Sequence, residues 1–175
     1  MLAGQYGNYA RYEIEKKFLL KEMPKDLPKT YTKVTDMYLP NSDLRLRIIK
    51  SAEGKIISRK LTKKVPAPEK GKEFSIMTSL YLSEEDLLAL GDLKGFKISK
   101  LRYCIDMSDR RIVIDQFSER LKGLILAEVE FKDEASLKKF EVPDSTWEEV
   151  TGEVLYSCGY LAAHPEYNPI KERGE

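Results

Sequence analysis

Four glutamates stand in two pairs, Glu13 with Glu15 and Glu128 with Glu130. Carboxylates two residues apart share one face of a β-strand, about 6.6 to 6.8 Å from each other. There they offer the hard oxygen ligands that suit Mg²⁺ or Mn²⁺. Cations repeat the spacing in Arg45 with Arg47 and in Lys100 with Arg102, and Lys60 stands on a further stretch. Arginine gives phosphate a forked contact, and lysine gives it a point charge. Two cations about 6 Å apart repel by roughly 3 kcal/mol at an effective dielectric near 20, so a face lined this way favours an anion. Acids and bases segregated into clusters suit a metal polyanion better than mixed surface decoration would. A linear triphosphate, with about four to five negative charges, offsets most of such a lining.

Other chemistries are poorly provided for. The single histidine, His164, lies in the loop-like HPEYNP, which argues against His-rich zinc sites and a Ser-His-Asp triad. Cys104 and Cys158 are far apart with no CxxC, so reduced, packed thiols are expected. GxxxxGK[ST] is absent. Phosphoryl transfer survives these exclusions, because it needs mainly positioning and charge neutralisation.

The elements that must hold these side chains read as short strands of period two, broken by Pro, Gly, Asn and Ser signals. Eight are predicted, over 11–20, 31–39, 43–50, 55–63, 72–79, 98–107, 111–117 and 124–131. Ser83 followed by Glu84, Glu85 and Asp86 predicts a helix start. A second helix is expected over 133–140, and a third within 146–163, with Val154, Leu155 and Leu161 available for packing.

The parity of each strand can be audited. Glu13, Glu15 and Lys17 oppose Tyr12, Ile14 and Phe18, and Arg45 and Arg47 oppose Leu44, Leu46 and Ile48. Lys100 and Arg102 oppose Leu101, Tyr103 and Ile105, and Glu128 and Glu130 oppose Ala127, Val129 and Phe131. Ser58, Lys60 and Thr62 share one face, and Asp115 shares another with Val113 and Phe117. Two architectures satisfy this alternation: an antiparallel sheet with one wet face, or eight strands closed into a barrel with the ionic face inward. Parity alone does not choose between them.

The chain of 175 residues fits a single domain, and 30 basic against 29 acidic residues give a formal charge of +1. That balance argues against a nucleic-acid partner. No apolar run is long enough for a membrane span, and the first residues lack a secretory pattern, so a cytoplasmic location is expected. The expected organisation is one domain over 10–164, with tails at 1–9 and 165–175. No feature of the sequence points to a protein partner.

Taken in order, these motifs resemble the CYTH domain of the triphosphate tunnel metalloenzyme superfamily. Glu13-Ile14-Glu15-Lys16-Lys17 resembles its ExExK signature, Leu44–Arg47 its paired arginines, Lys100-Leu101-Arg102 its KxR and Ala127–Phe131 its closing ExE strand. Ser58-Arg59-Lys60 resembles its Thr-x-Lys strand, with Lys63 and Lys64 as competing lysines. The resemblance implies a mainly β, α+β fold: a closed eight-stranded antiparallel barrel with a few flanking helices and a triphosphate tunnel inside. It implies Glu13, Glu15, Glu128 and Glu130 as ligands of Mg²⁺ or Mn²⁺, with Asp115 and Glu73 as further acidic contributors, although Ser75 stands where a second glutamate is usual. It implies Arg45, Arg47, Lys60, Lys100 and Arg102 as phosphate contacts, with Lys17 on phosphate or positioning water and Tyr38 close to Lys17. The implied activity is metal-dependent hydrolysis of a small-molecule triphosphate, inorganic tripolyphosphate first. Class IV adenylate cyclase, thiamine or nucleoside triphosphatase, and a noncatalytic polyphosphate-binding module are the alternatives.

Overall fold

A computed structural model describes residues 6–172. The eight strands are β1 (Arg11–Leu20), β2 (Thr32–Tyr38), β3 (Leu44–Lys50), β4 (Ile56–Pro66), β5 (Phe74–Tyr81), β6 (Phe96–Asp106), β7 (Arg110–Phe117) and β8 (Ile125–Phe131). They run antiparallel in the order β5-β4-β3-β2-β6-β7-β8-β1, and β5 pairs back onto β1. Of the two architectures that alternation allows, the molecule takes the closed barrel. Closure leaves no long strand edge among the eight and encloses one face of every strand. A short β9 (Glu148–Glu149) adds to the outside of β1, opposite Phe18 and Leu19.

Two helices follow the signals in the sequence. In α1 (Glu84–Ala89), Ser83 accepts from the Asp86 amide and Asp86 accepts from the Ser83 amide, a reciprocal cap. In α2 (Glu134–Lys138), the Asp133 side chain accepts from Ser136. Residues 146–163 depart from the single helix expected there. They form β9, a 3₁₀ turn at Val154–Tyr156 and α3 (Cys158–Ala163), which the Ser157 side chain caps. Val154 and Leu155 face solvent, and Leu161 is the residue that packs. The stretch after His164, expected as a tail, carries α4 (Pro169–Glu172), in which Pro169 is buried. The rest of the two expected tails, residues 1–5 and 173–175, lies outside the described residues.

Apolar residues form two layers. Outside the barrel, Phe18, Ile114, Ala127 and Val129 pack beneath Leu137, Phe140 and Trp147. Trp147 stands 5.7 Å from Phe18, ring to ring. The second layer lies within. The inner face of β1 reads Glu13, Glu15, Lys17, Leu19, and that of β8 reads Glu130, Glu128, Leu126, with Leu124 just before the strand. On β6 the inner face passes from Arg102 and Lys100 to Ile98, and on β7 from Asp115 to Phe117. These four rows end in apolar residues toward the same end of the barrel. There Leu19, Ile98, Phe117, Leu124 and Leu126 cluster with Tyr156, Cys158, Leu161 and Ala162. The chain from Tyr156 through α3 thus forms an apolar floor to the lumen. Arg120 pins it by donating to the carbonyl oxygens of Leu161 and Tyr167. Among the described residues no helix is long and apolar enough to cross a membrane.

Candidate active site

Above this floor the lumen has two walls. The adjacent strands β7, β8 and β1 carry Asp115, Glu128, Glu130, Glu13 and Glu15. The adjacent strands β6, β2, β3 and β4 carry Lys100, Arg102, Arg45, Arg47, Lys60 and Lys64. Each wall also contains a residue of the opposite sign held by a cross-strand neighbour. Lys17 lies opposite Glu128, and their charged atoms are 3.2 Å apart. Asp36 lies opposite Arg47 and accepts a forked pair of hydrogen bonds, from Nε at 2.6 Å and Nη2 at 2.8 Å.

Ion pairs tie the walls together in two groups, one around Asp36, Asp115 and Glu128 and one around Lys64. Arg102 forks onto Asp115 at 2.7 Å for both bonds and reaches Glu128 at 3.3 Å. Lys100, almost completely buried, sits 2.6 Å from Asp115 and 3.7 Å from Asp36, and it donates to the Cys158 sulfur at 3.5 Å. Lys64 bridges Glu13 at 2.5 Å and Glu15 at 2.8 Å. Arg45 lies 3.7 Å from Asp36, and its Nε is buried with no hydrogen-bond partner.

Protonation follows from these contacts. Burial alone would push Asp36 and Asp115 up, but Arg47 and Arg102 respectively hold both carboxyls below their ordinary range. Glu128 is likewise lowered against its burial, chiefly by Lys17 and Arg102. Burial would lower Lys17 and Lys64, yet Glu128 raises the first and Glu15 with Glu13 the second. Glu130 goes the other way: burial and then the charges of Glu13 and Glu128 raise it. These opposed shifts mark a preorganised ionic site.

Nine of the candidates named from the sequence meet in these ion pairs: Glu13, Glu15, Lys17, Arg45, Arg47, Lys100, Arg102, Asp115 and Glu128. Glu130 stands beside them, opposite Glu15. Three lie apart from their centre. Tyr38 stands at the floor, with its ring carbons 3.5 Å from where a Cβ on Gly159 would lie. Burial, followed by Cys158 and Asp36, raises its phenol well above the ordinary range. Lys60 lies toward the rim, 4.8 Å from the centre of the exposed Tyr81 ring. Glu73 precedes β5 in a turn, and its Oε2 lies 3.0 Å from where a Cβ on Gly71 would fall. Of the competing lysines, Lys64 shares the inward parity of Thr62 and meets the carboxylates, whereas Lys63 is exposed.

Sequence reasoning missed Asp36. Its parity with Val34 and Tyr38 was the available signal, the one acid on an otherwise uncharged inner face of β2. Cys158 is buried, as expected of a packed thiol, but its place beneath Lys100 depends on α3 folding across the barrel end. His164 ends α3, stacked on Tyr160 at 3.8 Å and away from the ionic network.

No family model matches the chain. A curated inorganic triphosphatase from Acetivibrio thermocellus is 36% identical over 75 residues, which are 43% of this chain and 46% of that protein. The match therefore spans about half the length of that relative. Two crystal structures of the protein NE1496 share the barrel, each with a TM-score of 0.52. One, described as a hypothetical protein, is 25% identical and covers 86% of this chain and 97% of its own. The other, described as the inorganic triphosphatase NE1496, is 23% identical and covers 86% and 93%. A Bacillus halodurans protein proposed to be an adenylate cyclase superposes with a TM-score of 0.53 at 19% identity, over 74% of this chain and 86% of its own.

Proposed function

We propose that this chain, which belongs to the CYTH or triphosphate tunnel superfamily, is a divalent-metal-dependent hydrolase of linear triphosphates, with inorganic tripolyphosphate as its preferred substrate. The observation that carries the proposal is the two-walled lumen, with guanidinium and ammonium groups facing carboxylates above an apolar floor. A basic wall alone would serve any anion. The acidic wall would repel a phosphate chain unless a cation stood between them.

The carboxylates fit such a cation by their chemistry. Glu13, Glu15, Glu128 and Glu130 supply hard oxygen donors of the kind Mg²⁺ and Mn²⁺ prefer. Among the described residues no three acidic, histidine or cysteine side chains are already gathered for a metal, and Lys64 and Lys17 occupy the carboxylates instead. Glu130, raised first by burial and then by the charges of Glu13 and Glu128, is a carboxyl whose ionised form a divalent ion would stabilise. A bound Mg²⁺ or Mn²⁺ supplies Lewis-acid stabilisation of charge on the phosphate oxygens.

The chain's own residues do the rest. Arg45, Arg47, Lys100 and Arg102 bind and orient the phosphates, and the unpartnered Nε of Arg45 is a buried donor suited to a phosphate oxygen. Lys17, steadied by Glu128, contacts phosphate or positions the attacking water. Water attacks the terminal phosphorus in line, forming one P–O bond and breaking the bridging one, so that triphosphate and water yield phosphate and pyrophosphate. No covalent nucleophile is needed. Lys60 takes a rim role, and Tyr38 forms part of the floor.

The test is to incubate the protein with tripolyphosphate, ATP or thiamine triphosphate, each with Mg²⁺ or Mn²⁺, while following phosphate release and cyclic AMP. Phosphate release should be fastest from tripolyphosphate and should stop on chelation. Cyclic AMP from ATP would replace the hydrolase reading with a cyclase. Tight tripolyphosphate binding without turnover would replace it with a binding module.

A further inference from the structure

Asp36 is 0% exposed, the most deeply buried acid of the lumen, and it is surrounded by three cations. Oδ1 accepts from Arg47 Nε and Oδ2 from Arg47 Nη2, so the fork fixes the plane of that guanidinium. Arg45 Nε stands 3.7 Å from Oδ1, and Lys100 Nζ stands 3.7 Å from Oδ2. The three cations come from β3 and β6, the two strands that flank β2, so Asp36 is the point at which both sides of the basic wall are tied together. The fork uses one hydrogen each on Nε and Nη2, which leaves the Nη1 donors of Arg47 for another acceptor. One carboxylate also cannot neutralise three cations, and the Asp115 carboxylate that shares Lys100 is itself forked by Arg102.

We propose that Asp36 is a positioning residue that holds Arg47, Arg45 and Lys100 as one preorganised cradle for a phosphoryl group of the substrate. The assignment rests on the reading of the lumen as a triphosphate site. Asp36 acts through its neighbours and does not touch the substrate. Its charge opposes substrate capture while its geometry favours the transition state, so the two contributions separate kinetically.

The experiment compares wild type, Asp36→Asn, Arg47→Lys and the double variant with tripolyphosphate and Mg²⁺. In Asp36→Asn, kcat should fall about tenfold or more while KM stays level or drops, because an opposing charge is lost together with the alignment. In the Arg47→Lys background, which already lacks the fork, the same change should cost less than about twofold. Wild-type kcat in Asp36→Asn, or equal fold losses in the two backgrounds, would overturn the assignment. A raised KM at constant kcat would overturn it too, since that is the mark of lost binding. Should Asp36→Asn not fold, Asp36→Glu carries the test, because it keeps the charge and displaces the fork: a kcat loss at constant KM supports the positioning role, and wild-type kcat, or a KM rise at constant kcat, refutes it. A wild-type protein inert toward tripolyphosphate removes the reading beneath the proposal and the proposal with it. An active wild type with an indifferent Asp36→Asn removes only the role of Asp36.

Discussion

On the proposed function, Glu130 sets activity against stability at a single side chain. Its carboxyl is raised by burial and by Glu13 and Glu128, so its ionisation in the folded protein is unfavourable relative to the unfolded chain. The stability held while it is protonated is lost as pH rises through the folded value. Glu130→Gln should therefore melt at a higher temperature than wild type at pH 7 without added metal. If Glu130 holds the metal as proposed, Mn²⁺ should raise the melting temperature of wild type but hardly that of Glu130→Gln, which should also show little activity. A lower melting temperature without metal would contradict this account, and thermal melts with and without Mn²⁺ decide it. Residue identity was well marked at this scale where charges repeat in pairs, as in Glu13 with Glu15 or Arg45 with Arg47. Asp36 occurs singly among uncharged neighbours on its face, and only the packing of β3 and β6 against β2 reveals what surrounds it. Lys60 and Lys64 share parity, so alternation could not rank them. The register against Tyr81 on one side and the position of β1 on the other separate them.

At the scale of elements, strand period was legible and strand closure was not. The eight strands fall where alternation places them, give or take a few residues, because most have one face that is largely apolar and one that is polar. The pairing of β5 with β1 leaves no local trace, since its partners lie some sixty residues apart. Residues 146–163 misled for a related reason. Val154, Leu155 and Leu161 resemble a helix face, yet Glu148 and Glu149 pair with β1, and the helix begins only at Cys158, beyond the cap at Ser157. The floor those residues build should be energetically important. Leu161 is 0% exposed among the end residues of the lumen, so Leu161→Ala should cost about 2 to 5 kcal/mol in a denaturant titration. Val154→Ala, at an exposed position, should cost less than about 0.5 kcal/mol. Equal costs would mean that α3 does not seat in the barrel end.

For the whole molecule, the ionic interior fixes the pH window of the fold. Asp36, Asp115 and Glu128 have folded values below those of an unfolded chain. Their contribution is complete above about pH 4.3 and is lost as pH falls through the folded values. Acid should therefore unfold the wild type cooperatively, below about pH 4. Asp115→Asn, which lacks one of these linked groups, should begin from lower stability at pH 7 and lose less of it on acidification. Circular dichroism during acid titration measures both, and an unchanged acid dependence would show that Asp115 is not linked to folding. The near-equality of charges in the composition conceals this interior, because a total near zero says nothing about how the two signs are partitioned among strands.

The floor formed by α3 makes the barrel a cul-de-sac. Whatever enters must turn around and leave past its own point of entry, so no polymer can be threaded through and shortened processively. On the proposed function, turnover would then proceed one visit at a time, with a departing fragment and an arriving molecule competing for the same doorway.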